Sequence, residues 1–351
     1  MIMDSLKLMW HRITHWEYWP FWMVYYPMFP VWLYYSFKAR SFFFFNAANP
    51  AMKNGGMAME SKMVIYNMIP RQFIPKTVYI PKEQSPEMVL EKVLASDIGF
   101  PFIAKPDMGM KAFGVEKIHN KDEFRSYVSW SPSNFLVQEL IPYQKEVGIF
   151  YVRKPGEDQG TITGIVSKEF LSVKGDGKST LLQLIKKNPR SHLQLKPLRK
   201  KFGERLNEVL SEGEDLILVP YGSHTRGAKF VDISHRINKD LTKTIHAICD
   251  QMKDFHYGRL DVLYNTFEEL CEGRNFKVIE INGTGGEATH IYDPKHSIFW
   301  AWKEVARHWG LLNEISILNH KKGHSYLSFK DGRAMLKQNG QNQARIRMSF
   351  R

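Results

Sequence analysis

The stretch "VIEINGTGG", residues 278–286, places Glu280 and Asn282 two positions apart in a strand-like run and follows them with glycines. Side chains alternate along a strand, so these two share a face. Upstream, "GRLDVLY", residues 258–264, carries Asp261 in a second strand-like run. If the two runs pair, Asp261 joins the other two. Two carboxylates and an amide oxygen make a hard, all-oxygen set of the kind that holds Mg²⁺ together with substrate phosphates. A solvent-facing polar face would show the same pattern, so the reading depends on what else the chain carries.

Further upstream, "FPFIAKPDMGMKAFGV" puts Lys105 at a strand end ahead of a loop from Gly109 to Gly114. That arrangement sets a point charge and backbone N–H groups where phosphates would lie. "FLVQELIPYQKEV" is an apolar strand followed by Glu139 and Glu146, able to offer backbone groups to a base and a carboxylate to ribose. "SVKGDGKST", residues 172–180, ends like a phosphate-binding P-loop, but its first glycine position is Ser172, and the P-loop reading is set aside.

The rest of the chain alternates helix and strand signals. "SFFFFNAANP" reads as a strand running into a turn. "SPEMVLEKVLASDIG" has a Ser cap, a Pro at the first helical position and a Gly stop, which predicts a helix. "HSIFWAWKEVARHWG" predicts a helix ending at Gly310. Strands and helices mix without a strict βαβ rhythm or an internal repeat, so the class is α+β.

Taken in order, the Lys–Gly loop, hinge acid, second acid, Arg-x-Asp and Glu-x-Asn resemble the ATP-grasp superfamily over residues 59–295. "YGRLDVLY…VIEINGTGGEATHIYDP" is similar to the D-alanine–D-alanine ligases. "VKGDGKSTLLQLI" and "GSHTRGAKFVDIS" are similar to cyanophycin synthetases and α-L-glutamate ligases. The resemblance implies two α+β subdomains closing on Mg-ATP, over residues 83–137 and 138–318, with residues 46–82 as a remnant of a preceding region. It implies that Lys62 and Lys105 reach phosphates and that the Gly109–Gly114 loop covers them. Glu139 and the backbone through Ile141 would face adenine, and Glu146 would hold the ribose. Asp261, Glu280 and Asn282 would bind magnesium, and Arg259 would stabilise the transferring phosphoryl group. Lys168 would be a second phosphate lysine or a surface residue. His224, Arg226 and Lys229 would meet an anionic substrate or the acyl phosphate, or the loop is simply solvated; the backbone near Gly285 would help Arg259, and Gly285 with Gly286 would border the second substrate. The reaction implied is a carboxylate–amine ligation through an acyl phosphate; a kinase acting on a hydroxyl or sugar is the alternative. After Glu280 the D-alanine ligases continue Pro-Gly-Met-Thr where this chain has Gly285, Gly286, Glu287, Ala288, which argues against D-alanine as substrate.

The formal net charge of +13 calls for an anionic partner. Nucleic acid is not expected, because basic and aromatic residues are not interleaved as a stacking groove requires. Two cysteines without metal spacing favour a reducing cytoplasm and no disulfide, and the first residues lack a signal-peptide pattern. Sixteen of the 47 aromatic residues fall within residues 16–45, and residues 18–37 hold no charge. Pro20, Pro27 and Pro30 interrupt any simple span. The segment 1–45 therefore reads either as an interfacial anchor on an anionic membrane or as an aromatic arm packed on the domain or a second subunit. The stretch 319–351, with eight Lys or Arg against Asp331, reads as a basic tail, either solvated or drawn to acidic lipid.

Overall fold

A computed structural model describes residues 2–109 and 113–349. Two antiparallel sheets meet at a seam. The smaller is built from β1 (Thr77–Ile80), β2 (Phe102–Pro106), β3 (Glu116–Ile118) and β4 (Phe135–Glu139), in the order β1-β4-β2-β3. Its helices Pro86–Leu94 and Lys121–Trp130 begin where Ser85 and Asn120 accept hydrogen bonds from first-turn N–H groups, satisfying donors the helix leaves open. Val89, Val93, Phe124 and Tyr127 pack from these helices onto Phe102, Ala104 and Val137.

The larger sheet uses β5 (Lys145–Val152), β6 (Thr161–Glu169), β9 (Lys229–Asp232), β10 (Tyr257–Tyr264) and β11 (Phe276–Asn282), in the order β11-β10-β5-β6-β9. Between β6 and β9, β7 (Leu171–Lys174) and β8 (Asp215–Val219) form a separate pair. This pair shares a small core with helices Leu181–Lys187 and Leu195–Phe202. Alternation gives the large sheet two unlike faces. Val147, Ile149, Leu260 and Val262 are fully buried against Leu241, Ile245 and Ile248 of helix Lys239–Asp250. On the other face, Phe150, Val152 and Tyr257 pack under helix Ile298–Lys321. Further along that same face lie Glu146, Lys168, Arg259 and Asp261. Cys249 is buried in the main core, and both cysteines are free.

Three local expectations change. The segment around Phe43–Phe45 is a 3-10 turn, Phe44–Ala48, and not a strand. Consecutive Phe43, Phe44 and Phe45 are all buried, which a strand, sending alternate side chains to opposite faces, could not achieve here. The helix expected to stop at Gly310 runs through it to Lys321. A Cβ at Gly310 would lie 2.8 Å from the Tyr35 hydroxyl, so this glycine admits a neighbouring ring and does not end the helix. The expected basic tail is largely helix, Phe329–Ser349, with Met335 and Ile346 buried.

The aromatic segment is folded onto the domain. Trp16, Val24 and Met28 are buried against Ile291, Ala301 and Val305. The Trp16 indole donates to the His296 carbonyl at 2.7 Å, and Trp302 donates to Val24 at 2.8 Å. Its outward side leaves Phe21, Trp22, Tyr26, Tyr34 and Phe37 exposed. Among the described residues, no helix is long and apolar enough to cross a membrane.

Candidate active site

A bulge in β11 builds the seam. Asp261 of β10 pairs with Glu280 and Val262 pairs with Val278, which leaves Ile279 as the extra residue. The bulge reverses the strand's alternation. Phe276 and Val278 face the core before it and Ile281 after it, and Glu280 and Asn282 turn to the opposite face. It also aims the Ile279 carbonyl at the small sheet. Lys105, from β2, donates to that carbonyl at 3.2 Å, to the Tyr66 hydroxyl at 2.7 Å and to Gln138 Oε1 at 2.9 Å. Tyr66 in turn donates to the Ile279 carbonyl. Burial draws the Lys105 ammonium down to about 8, only partly opposed by the Glu280 carboxylate. Its direct partners are all neutral.

Lys62 opens helix Lys62–Tyr66, with Ser61 as its cap. The Asp107 carboxylate, two residues beyond Lys105, accepts from Ser61 Oγ at 2.9 Å and Met63 N at 3.0 Å. This ties the two lysine-bearing segments together. Lys62 Nζ donates to the Gly109 carbonyl at 2.8 Å and stands 3.8 Å from Glu280 Oε1. Of the loop between Gly109 and Gly114, residues 110–112 lie outside the described residues. Gly114 has φ +70°, and its carbonyl accepts from Tyr127.

The large sheet carries a buried charge network. Arg259 donates Nε to Asp261 Oδ1 at 2.8 Å, Nη2 to Oδ2 at 3.1 Å, and Nη1 to the Glu287 carbonyl at 3.0 Å. Lys168 Nζ lies 3.0 Å from Asp261 Oδ1 and donates to Glu146 Oε1 at 2.6 Å. Burial opposes charge at all three sites. Asp261 and Glu146 nevertheless outweigh it and raise Lys168, while Arg259 and Lys168 outweigh it and lower Asp261. Arg259 is likewise held above its ordinary value, chiefly by Asp261. A Cβ at Gly148 would come 2.9 Å from Val166 and 3.1 Å from Asp261 Oδ1, so that glycine makes room for the pair. Both oxygens of Asp261 already face cations.

Glu280 and Asn282 are the less committed oxygen donors. Register places Asn282 opposite Arg259 and Glu280 opposite Asp261. In the same loop, Asn282 Nδ2, Thr284 Oγ1 and Thr289 Oγ1 are buried without hydrogen-bond partners, as is Glu60 Oε2 nearby. Burial, with a smaller contribution from Glu280, raises the Glu60 carboxyl. Buried polar atoms are ordinarily paired, so orphans concentrated in residues 282–289 mark a place that a polar ligand completes. Among the described residues no three His, Cys, Asp or Glu side chains gather as a metal cage. The donor set nevertheless fits magnesium, which takes one or two carboxylates and completes its shell with water and phosphate.

The glycines of this loop pack backbone on backbone. Gly283 lies against Gly56, where a Cβ on Gly56 would approach its Cα to 2.7 Å. Gly285 N donates to the Gly56 carbonyl, and Gly286 N to Gly283. Both N–H groups are therefore taken. Asn49 anchors the partner loop: its oxygen accepts from His256 and Tyr257 N–H, and its amide donates to the Gly55 and Tyr257 carbonyls.

Glu139 ends β4, and its carboxylate accepts from Lys76 N at 2.7 Å. Ile141 lies in the link between the sheets. Opposite, the loop 220–227 covers the charge network: a Cβ on Gly222 would meet Glu146 Oε2 at 2.4 Å. Arg226 lies 5.7 Å from the ring centroids of both Phe113 and Tyr221, reaching across to the glycine loop beside the small sheet. Lys229 pairs with Glu169 at 3.3 Å. His224 Nε2 is 3.1 Å from Glu17, which also takes Arg190 at 2.7 Å. Tyr25 of the arm donates to Glu287 at 2.5 Å. The P-loop look-alike is a turn whose Lys178 and Ser179 N–H groups donate to its own Asp176.

Sequence reasoning missed Tyr66, Gln138, Asp107, Glu60, Glu17 and Tyr25. Asp107, standing two residues after Lys105, was the only one with a local signal.

No family model matches the chain, and no curated protein does. Among solved structures, it is similar to a bifunctional glutathione synthetase from Pasteurella multocida, at 13% identity and TM-score 0.39, over 74% of this chain and 38% of that one. It is similar to the VanG D-Ala:D-Ser ligase from Enterococcus faecalis, at 15% identity and TM-score 0.41, over 74% of this chain and 62% of that one. It is also similar to the D-alanine–D-alanine ligase from Bacillus anthracis, at 13% identity and TM-score 0.42, over 78% and 72%. The chain thus spans less than two thirds of the first two, 38% and 62%.

Proposed function

We propose that the chain is an ATP-grasp enzyme joining a carboxylate to an amine. The observation that carries this reading is the convergence at one seam of Lys105 from the small sheet with Arg259, Asp261, Glu280 and Asn282 from the large one. Lys62 and Lys105 bind phosphate oxygens. Glu280 and Asn282, with Asp261 once it yields one of its contacts to Lys168 or Arg259, would hold magnesium, which supplies positive charge to the phosphates. A carboxylate oxygen of the substrate attacks the terminal phosphorus of ATP and ADP leaves. Arg259 steadies the charge on the transferring group. The amine then attacks the acyl carbon, phosphate departs and an amide remains. The protein's share is positioning and the exclusion of water from the acyl phosphate. Glu139 and Ile141 would line the adenine side, and Glu146 the ribose, once it yields part of its bond to Lys168. Arg226, with His224 if Glu17 releases it, would face an anionic substrate. The Tyr25–Glu287 bond brings the aromatic arm beside the loop where the second substrate would enter. On this reading the substrate is lipid-like and is met at the cytoplasmic face of a membrane.

The test is phosphate release by the purified chain with Mg-ATP against pooled carboxylates and amines, lipid-linked ones included. Free phosphate together with an amide is the expected product, abolished in Glu280→Gln. A stable phosphoester without free phosphate would make it a kinase. Full activity in Glu280→Gln would overturn the assignment of the seam.

A further inference from the structure

Helix Ile2–Thr14 and helix Leu195–Phe202 enclose a groove of about 910 Å³, and neither Lys105 nor Glu280 lines it. Met9, Ile13, Met23 and Leu193 give it an apolar lining. Arg12, Lys196 and Arg199 stand at the same groove, and none of the described residues lining it is an acid. All three basic side chains are exposed. Along the first helix Leu6, Met9, Trp10 and Ile13 recur at i, i+3, i+4 and i+7, each more than half exposed, so one apolar stripe faces outward.

The same pattern continues along the arm. Its inward residues Trp16, Val24 and Met28 are buried on the domain, while Phe21, Trp22 and Tyr26 project outward. In the helix Phe29–Ala39, Phe29, Leu33 and Phe37 share the exposed side, with Lys38 and Arg40 exposed just beyond. Single exposed apolar residues need no explanation, but rows of them rimmed by one sign of charge mark an interaction surface. Trp, Tyr and Phe suit the headgroup level of a bilayer, and Lys and Arg suit its acidic lipids. No span is available to this chain's described helices, so the contact is one of lying on a membrane and not of crossing it.

We propose that this face seats the protein on an anionic lipid bilayer. Helix Ile2–Thr14 and the arm enter the interface, the groove takes lipid chain, and Arg12, Lys196 and Arg199 meet acidic headgroups. The inference deepens the lipid-substrate reading and rests on it only for its purpose; the docking itself requires no catalysis.

The experiment is co-sedimentation of the full chain with phosphatidylcholine vesicles, with and without phosphatidylglycerol, at low and high salt. The chain binds the anionic vesicles, and binding falls as salt rises. The triple variant Arg12→Glu, Lys196→Glu, Arg199→Glu binds at least about a hundredfold more weakly, since each basic residue near an acidic surface contributes about fivefold. Trp10→Ser with Trp22→Ser also weakens binding. All five positions are exposed, and thermal melting confirms that each variant is folded. Glu280→Gln loses phosphate release but keeps vesicle binding, so failure of the ligase reading and failure of the docking are told apart. Absence of vesicle binding, equal binding to neutral and acidic vesicles, or a triple variant that binds like the parent each overturns the proposal. So does a concentration-dependent dimer in the absence of lipid that Trp22→Ser abolishes, which would give the face to a second copy.

Discussion

Lys105 carries its ammonium into a pocket whose direct partners are a phenol, an amide oxygen and a carbonyl. With its folded value near 8 against about 10.4 in an unfolded chain, it is neutral in the folded state and charged in the unfolded one between those values. Its burial thus costs stability below pH 8, and that cost fades as the pH rises toward 10.4. If Lys105 binds phosphate as proposed, it does so in its charged form, and kcat/KM for ATP should fall as pH rises through about 8, a limb that Lys105→Arg removes. A flat profile across that range would show that the free enzyme does not depend on this proton. The two opposed acids should behave differently from each other. Asp261→Asn leaves Arg259 and Lys168 short of a buried carboxylate and should cost about 3–5 kcal/mol. Glu280, with its side chain 35% exposed and its Lys62 contact at 3.8 Å, should cost less than about 1 kcal/mol as Gln. Phosphate release should be lost in both. Denaturant midpoints separate the acid that also holds the buried charge network together from the one that does not.

At the scale of elements, the bulge at Ile279 and the glycine contact behind it set the site's geometry. Gly56 has φ +77° and touches Gly283. Gly56→Ala therefore meets a left-handed penalty of about 1–2 kcal/mol and an overpacking cost of about 1–3 kcal/mol. The urea midpoint should drop accordingly, and the KM for ATP should rise as the loop bearing Asn282 shifts. An unchanged midpoint would mean that the two loops are not held together. The long helix makes the complementary point. Gly310 lies mid-helix at a cost of about 1 kcal/mol relative to Ala, offset by the packing of Tyr35 against it and by the Asn313 amide bonding the Tyr35 carbonyl at 2.9 Å.

For the whole molecule, the arm is attached by charge as well as by apolar burial. Glu17, with its side chain 4% exposed, takes Arg190 and His224 together. Burial pushes its carboxyl up, but hydrogen bonds from His224 and Arg190 win and lower it. Its contribution is therefore present above the ordinary carboxylate range and is lost on acidification through the lowered value. Glu17→Gln should destabilise the chain by about 3 kcal/mol, since Arg190 stays buried without its acid. Tryptophan fluorescence, to which the arm contributes Trp16, Trp19, Trp22 and Trp32, should show the loss first; a simultaneous, unchanged unfolding transition would mean that the tether contributes nothing. Removing the arm altogether would uncover Ile291, Ala301 and Val305, which is why point variants are the better probe of its outer face.

Much of this was legible in the residues themselves. The Ser85 cap and the strand-like runs of β4 and β10 are local signals, and the structure follows them. The shared face of Glu280 and Asn282 followed from strand alternation alone. What strand and helix periods could not carry were contacts between residues far apart in the chain. The Ile279 bulge depends on pairing with β10, and the pocket around Lys105 on Tyr66 and Gln138. The persistence of a helix through Gly310 depends on a tyrosine 275 positions upstream. Whether the aromatic segment stands free or packs was settled by a buried Glu17 and by complementary apolar surface on the long helix. These are long-range contacts, and only the folded chain brings their two halves within a few ångströms.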